Sequence, residues 1–181
     1  MKTISKLLLI SMTIFTAIQV TYGQISFSHS GGASFYGSSL ASAPGLMYSP
    51  RINFLELRDE LTISAGTHLG LGVVYSRDEG ASSFAFDLPL VAEINFGHGA
   101  NPDTRSSFGG FGGFGFGISK IGSAGAFGAD YNDAAGIVLN GGIRAIINKN
   151  PLGLRLSYLI NTKEGFENVI SLGIFFTFGD F

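Results

Sequence analysis

Between residues 61 and 75 the odd positions read Leu61, Ile63, Ala65, Thr67, Leu69, Leu71, Val73 and Tyr75, with Thr62, Ser64, Gly66, His68, Gly70, Gly72 and Val74 between them. Successive side chains of a β-strand point to opposite faces, so one face here is bulky and apolar and the other mostly small or polar. The alternation returns over 84–96, where Phe84, Phe86, Leu88, Leu90, Ala92, Ile94 and Phe96 share one parity and Ala85, Asp87, Pro89, Val91, Glu93 and Asn95 the other. Leu152, Leu154, Leu156, Tyr158 and Ile160 alternate with Gly153, Arg155, Ser157 and Asn161, and Ile170, Leu172, Ile174, Phe176 and Phe178 alternate with Ser171, Gly173, Phe175 and Thr177. Less regular alternation over 25–36, 46–57, 106–119 and 136–148 brings the predicted strands to eight. Each is long enough for the ~9–11 residues that a tilted strand needs to cross a bilayer. No stretch beyond the N-terminus approaches the length of an apolar transmembrane helix.

The connections carry turn chemistry, because Gly, Pro, Asn and Asp fit turn dihedrals. One set is 57–60, 97–105 and 148–151, and the other is 37–45, 76–83, 120–135 and 162–167. With the N-terminus on the periplasmic side, the first set are periplasmic turns and the second are outer loops. Short turns on one side and longer loops on the other are the asymmetry of membrane barrels. The 97–105 turn is long for its side, and Pro89 removes a ladder donor within a predicted strand, so a bulge or bend is expected there.

Residues 1–23 place Lys2 and Lys6 before an apolar stretch from Leu7 to Ile18 and end on the small residues Thr21 and Gly23. A charged start, a short apolar centre and a small-residue cleavage site make an export signal, expected to be cleaved after Gly23. The apolar centre is too short for a membrane-spanning helix, and no Cys stands near it for a lipid anchor. The domain reading is therefore 1–23 signal peptide and 24–181 barrel.

A soluble barrel or sandwich shows the same alternation with its faces exchanged, so the chemistry of the non-apolar face decides between them. Only 13% of residues are charged, against 13% aromatic, and Gly numbers 27 and Phe 17; ordinary globular chains are about one-quarter charged. A water-facing surface would be dense in Lys, Glu and Arg, whereas here that face is Gly, Ser, Asn and Ala with few charges. Small residues are what the narrow lumen of an eight-stranded barrel requires. The fold class predicted is all-β, a closed eight-stranded antiparallel up-and-down transmembrane barrel, since a sheet in lipid must close to satisfy its backbone. The lumen parity then carries Arg51, Arg144 and Arg155 against Asp87 and Glu93. Unpaired charge is costly when buried, so these five residues are expected to form a structural network inside the barrel, although on a soluble fold they would be solvated pairs.

The signal, the alternating strands and the final segment VISLGIFFTFGDF resemble the small eight-stranded outer-membrane barrels of Gram-negative bacteria, the OmpX/OmpA-like group, over about residues 25–181. In that family a terminal Phe with alternate apolar residues before it resembles the signal read by the barrel-assembly machinery. The resemblance therefore implies that machinery and outer-membrane lipid as partners. Here Phe181 is terminal, but Phe178, Phe176 and Ile174 have the opposite parity, with Asp180 between, which departs from the pattern.

Little else points to chemistry. Gly110, Gly112 and Gly115 match GxGxxG formally, but a dinucleotide fingerprint opens a helix, and Phe114, Phe116 and Ile118 continue a strand. His29, His68 and His98 are isolated and no Cys is present, so neither a metal site nor a cofactor is expected; His68 has lumen parity. A formal charge of −2 without a basic patch excludes nucleic-acid binding. Lipid A deacylases of similar size use a Ser two residues after the His, a spacing that none of the three histidines has. The reading is a non-enzymatic outer-membrane barrel acting through its loops. A lipid-modifying enzyme and a secreted soluble β-sandwich adhesin are the alternatives.

Overall fold

The computed structural model of the protein describes residues 25–39, 41–75, 82–122, 131–148 and 150–178; the predicted signal and the terminal Phe181 lie outside them. Nine strand segments follow one another: β1 (Ser26–Gly37), β2 (Ser42–Arg58), β3 (Leu61–Thr67), β4 (Leu69–Tyr75), β5 (Ser82–Gly97), β6 (Phe108–Gly122), β7 (Tyr131–Ile147), β8 (Asn150–Asn161) and β9 (Val169–Phe178). All pairings are antiparallel. β3 and β4 both lie between β2 and β5 and form a single wall position. The ring therefore has eight members, and β1 closes it by pairing β2 on one side and β9 on the other, from His29↔Phe178 to Gly37↔Ile170.

The break between β3 and β4 has a cause in the neighbouring strands. The β2 register that pairs Arg51 with Gly66 and Tyr48 with Leu69 brings Pro50 opposite Thr67. On the other side, the β5 register that pairs Leu90 with Thr67 and Asp87 with Gly70 brings Pro89 opposite His68. Neither proline can donate to the ladder, so the strand assignment lapses at His68. Of the bulge or bend expected at Pro89, no bulge appears against β6, since that pairing runs unbroken through Pro89↔Gly117. The irregularity falls on the partner strand instead. β2 itself is bulged, with register shifts between Asn53 and Leu55 and between Glu56 and Arg58.

Several strands extend beyond the predicted limits. β2 begins at Ser42 because Ala43, Pro44 and Gly45, which read as turn residues, pair with Tyr36, Phe35 and Ser34. β6 and β7 reach Gly122 and Tyr131, with Lys120 opposite Asp133 and their side chains 3.5 Å apart. Polar residues there lengthen the hairpin past the apolar band rather than ending it.

Burial follows parity with the usual sense inverted. Phe84 is 82% exposed and Leu46 70%, whereas Glu93 is 2% exposed and Arg155 3%. Apolar residues such as Leu90, Phe114, Leu139, Leu156, Leu172 and Ile174 form the outer face. The lumen is filled by side chains, and its aromatic rings fit because glycines face them: a Cβ at Gly70, Gly142 or Gly153 would run into the ring of Tyr36, Phe111 or Phe175 respectively. Towards the outer end, Tyr36, Ala43, Ala85, Val91, Ile121, Ala134, Val138, Leu159 and Val169 make an apolar core. Met47, Phe111 and Phe175 form a second cluster.

Two pairs of substitutions test this arrangement in urea unfolding of the refolded barrel. Leu172, 50% exposed near the middle of β9, lies on the apolar outer face, so in a bilayer Leu172→Arg is expected to cost about 2–4 kcal/mol, while Ser171→Ala, inside, is mild. At Gly115 an added Cβ would lie 2.7 Å from Val91 Cα and strike the Leu90 carbonyl, whereas at Gly112 the nearest atom is 4.0 Å away. Gly115→Ala is expected to destabilise by roughly 2 kcal/mol or more, because backbone must move, and Gly112→Ala by much less.

Candidate functional site: the barrel lumen

Arg51, Asp87, Glu93, Arg144 and Arg155 all point inward from β2, β5, β7 and β8 and are buried. Period-two geometry puts them there, since each shares the lumen parity of its strand. Among the described residues, no guanidinium lies within ion-pair distance of Asp87 or Glu93; the basic side chain that does reach a lumen carboxylate is His68, 3.2 Å from Glu93. Neutral groups join the arginines to their surroundings instead.

At the end that carries the 97–105 turn Arg51 Nη1 donates to Asn95 Oδ1 at 2.6 Å, Nη2 to the Gly99 carbonyl at 2.6 Å, and Nε to Ser28 Oγ at 3.1 Å. Arg144 Nη1 donates to the same two acceptors, at 3.0 and 3.3 Å, and its guanidinium lies 4.3 Å from the centre of the Phe111 ring, a cation–π contact. Two like charges are thus held on one amide oxygen and one carbonyl. Asn95 completes its amide by donating to Ser64 Oγ at 2.8 Å.

Gly99 belongs to the 97–105 turn, whose unexpected length now has a physical role. The turn folds back over the mouth of the barrel: Ala100 is fully buried, and its carbonyl accepts from Thr62 Oγ1 at 2.7 Å. Asn101 Nδ2 donates to Glu56 Oε1 at 2.8 Å and to the Asp59 carbonyl, which ties the turn to the neighbouring β2–β3 hairpin. Gly97 and Gly99 have φ of 62° and 78°, the left-handed region that glycine enters without a Cβ penalty. Burial pushes the His98 imidazole in this turn below its ordinary pKa, and the charge on Arg144 pushes it the same way.

Midway along the barrel, His68 Nε2 meets Glu93 Oε1, and His68 Nδ1 lies 2.8 Å from Ser49 Oγ. Asn140 Nδ2 donates to Glu93 Oε1 and lies 3.1 Å from His68 Nε2. Arg155 donates from Nη1 to Ser49 Oγ at 3.2 Å. A cavity of about 20 Å³ remains among Ser28, Ser30, Ser49, Arg51, His68, Glu93, Phe111, Arg144, Arg155 and Phe175. That is room for about one water molecule among these side chains.

Asn95 and Asn140 carry more of this arrangement than sequence reasoning assigned to them. Lumen parity alone could have marked Asn95, but nothing local shows that it serves two arginines. The remaining histidines are elsewhere: His29 is on the outer face, 3.3 Å from the Tyr48 hydroxyl and packed against Phe27 and Phe178. Among the described residues no group of three His, Cys, Asp or Glu side chains could hold a metal ion.

Removing the shared acceptor tests how the end beneath the 97–105 turn is held. Asn95→Ala leaves two buried guanidiniums short of a partner, and is expected to cost about 2–4 kcal/mol in the urea unfolding of the refolded barrel. A loss no greater than that of Ser171→Ala would show that the arginines find other acceptors.

No protein-family model matches the sequence, and no curated protein matches it. Solved structures do. The chain is similar to Ail, the attachment invasion locus protein of Yersinia pestis, solved in complex with the heparin analogue sucrose octasulfate: 14% identity and a TM-score of 0.52, covering 85% of this chain and 97% of that one. It is similar also to neisserial surface protein A, NspA, with 15% identity and a TM-score of 0.50 over 88% of this chain and 100% of that one. Likeness at these identities is likeness of fold, and the fold is that of the small eight-stranded outer-membrane β-barrels.

Proposed function

We propose that this chain is an integral protein of the bacterial outer membrane, a closed and internally filled barrel without enzymatic activity whose outer connections make its contacts. The observation that carries the reading is the inversion of burial: large apolar side chains cover the outside while arginines and carboxylates are enclosed. Water would penalise such an exterior, and lipid accepts it. In this reading residues 1–23 direct export, lipid surrounds the apolar belt, and the barrel-assembly machinery engages the final strand. A lumen narrowed to a cavity of about 20 Å³ and covered by the 97–105 turn favours a scaffold over a diffusion pore.

His29, on the apolar outer face, is surrounded by Phe27, Tyr48 and Phe178, and the histidine that does sit between a serine and a carboxylate, His68 with Ser49 and Glu93, is enclosed in the filled lumen away from the apolar outer face, which supports the non-enzymatic reading. The predicted outer connections carry Arg77, Lys120 and Lys163 against Asp78, Glu79, Asp130, Asp133, Glu164 and Glu167. Of these, Lys120 and Lys163 are both engaged by Asp133, at 3.5 and 2.7 Å. Their cationic charge is thereby partly neutralised, and a basic or cationic partner suits this end better than a polyanion. The structure of Ail holds a sulfated sugar; this chain's acidic excess would repel one.

Expressed with its N-terminal segment, the protein is expected in the outer-membrane fraction, with gel migration that changes on heating, and lipid A mass unchanged. Refolded into liposomes, it should not permit solute-driven swelling, and it should not retain sucrose octasulfate at physiological ionic strength. Recovery in the aqueous phase without detergent would favour the soluble sandwich, and a new lipid A mass the enzyme.

A further inference from the structure

The charges in the lumen do not balance, and the imbalance has a place. Three buried guanidiniums, of Arg51, Arg144 and Arg155, face two buried carboxylates, of Asp87 and Glu93, before any charge on His68 is counted. Arg51 and Arg144 are provided with neutral acceptors at the end beneath the 97–105 turn. Arg155 is not: its Nη1 reaches Ser49, while Nε and Nη2 are buried without a hydrogen-bond partner. A buried guanidinium with two unused donors is unfavourable unless something accepts from it.

The space beside it is built for an acceptor. Arg155 lines the central cavity together with the two other guanidiniums, the hydroxyls of Ser28, Ser30 and Ser49, His68 and the rings of Phe111 and Phe175. Glu93 is the one carboxylate on this wall, and its Oε1 is already taken by His68 and Asn140. Ser28 Oγ accepts from Arg51 Nε, which leaves its own proton to give. Aromatic edges carry the positive side of the ring quadrupole, so an edge of Phe111 or Phe175 would also tolerate an anion. At about 20 Å³ the cavity takes a single small sphere. Phosphate, sulfate and carboxylates are too large.

We propose that this cavity binds one small monoanion of the halide class, chloride in ordinary salt, against the unused donors of Arg155. The ion offsets the surplus cationic charge of the lumen and accepts from Nε and Nη2. It is a structural ligand of the folded barrel, and it raises stability with the logarithm of its concentration once that exceeds its dissociation constant.

The test uses the native barrel refolded in detergent. Crystals grown in sodium bromide should show an anomalous peak in the cavity beside Arg155. Urea unfolding at constant ionic strength should show a midpoint that rises with the logarithm of chloride concentration as sodium gluconate is replaced by sodium chloride. Arg155→Met should abolish this rise, and Lys163→Ala, at the exposed outer end, should keep it. Coincident chloride and gluconate curves with no bromide peak would overturn the proposal in favour of a water molecule, as would a chloride response that survives in Arg155→Met. Should Arg155→Met fail to fold, the bromide peak and the chloride titration of the native barrel decide the matter alone.

Discussion

In hydrocarbon no water is present to complete a hydrogen bond, so a strand with a free edge is not viable there. The pairing of β1 with β9 is therefore the contact on which the rest of the structure depends. Nine residues of β1, from His29 to Gly37, are matched to Phe178 through Ile170. Closure commits every strand to one inward and one outward face, and it limits the interior to the width of eight strands. Both consequences are visible in the sequence as parity, bulky apolar residues on one side and mostly small or polar residues on the other.

The limited interior then determines how glycine and aromatic residues are distributed. A narrow lumen that still holds Tyr36, Phe111 and Phe175 needs facing positions without a Cβ, and Gly70, Gly142 and Gly153 supply them. The same crowding explains why the buried arginines are joined through Asn95, Ser28, Ser49 and a backbone carbonyl rather than directly to carboxylates. Small neutral acceptors fit between walls, and they are available at the heights where the guanidiniums end. The 97–105 turn adds to this by bringing the Gly99 carbonyl to two arginines and the Ala100 carbonyl to Thr62, so the connection covers the mouth that it borders.

Proline acts in this barrel through its neighbours. Pro50 and Pro89 lie in strands that continue past them, and the cost appears in the strand between, which lapses at His68. The interruption coincides with a lumen histidine in direct contact with Glu93, so the irregular backbone and the polar centre of the barrel share a level.

How much of this was legible beforehand follows from the range of each interaction. Side-chain alternation is local, so the sequence by itself determined the eight wall positions, the outward parity of residues such as Leu90 and Leu172, and the inward parity of Arg51, Asp87, Glu93, Arg144 and Arg155. Boundaries were less legible, because Ala43–Gly45 and Lys120–Asp133 carry turn-like or polar residues whose strand pairing depends on a partner. Only the tertiary structure decided which lumen groups meet. Arg51 and Arg144 converge on Asn95 from positions 44 and 49 residues away, and Arg155 finds Ser49 from 106 residues away. Register, bulges and closure set these distances jointly, and no window of sequence contains them.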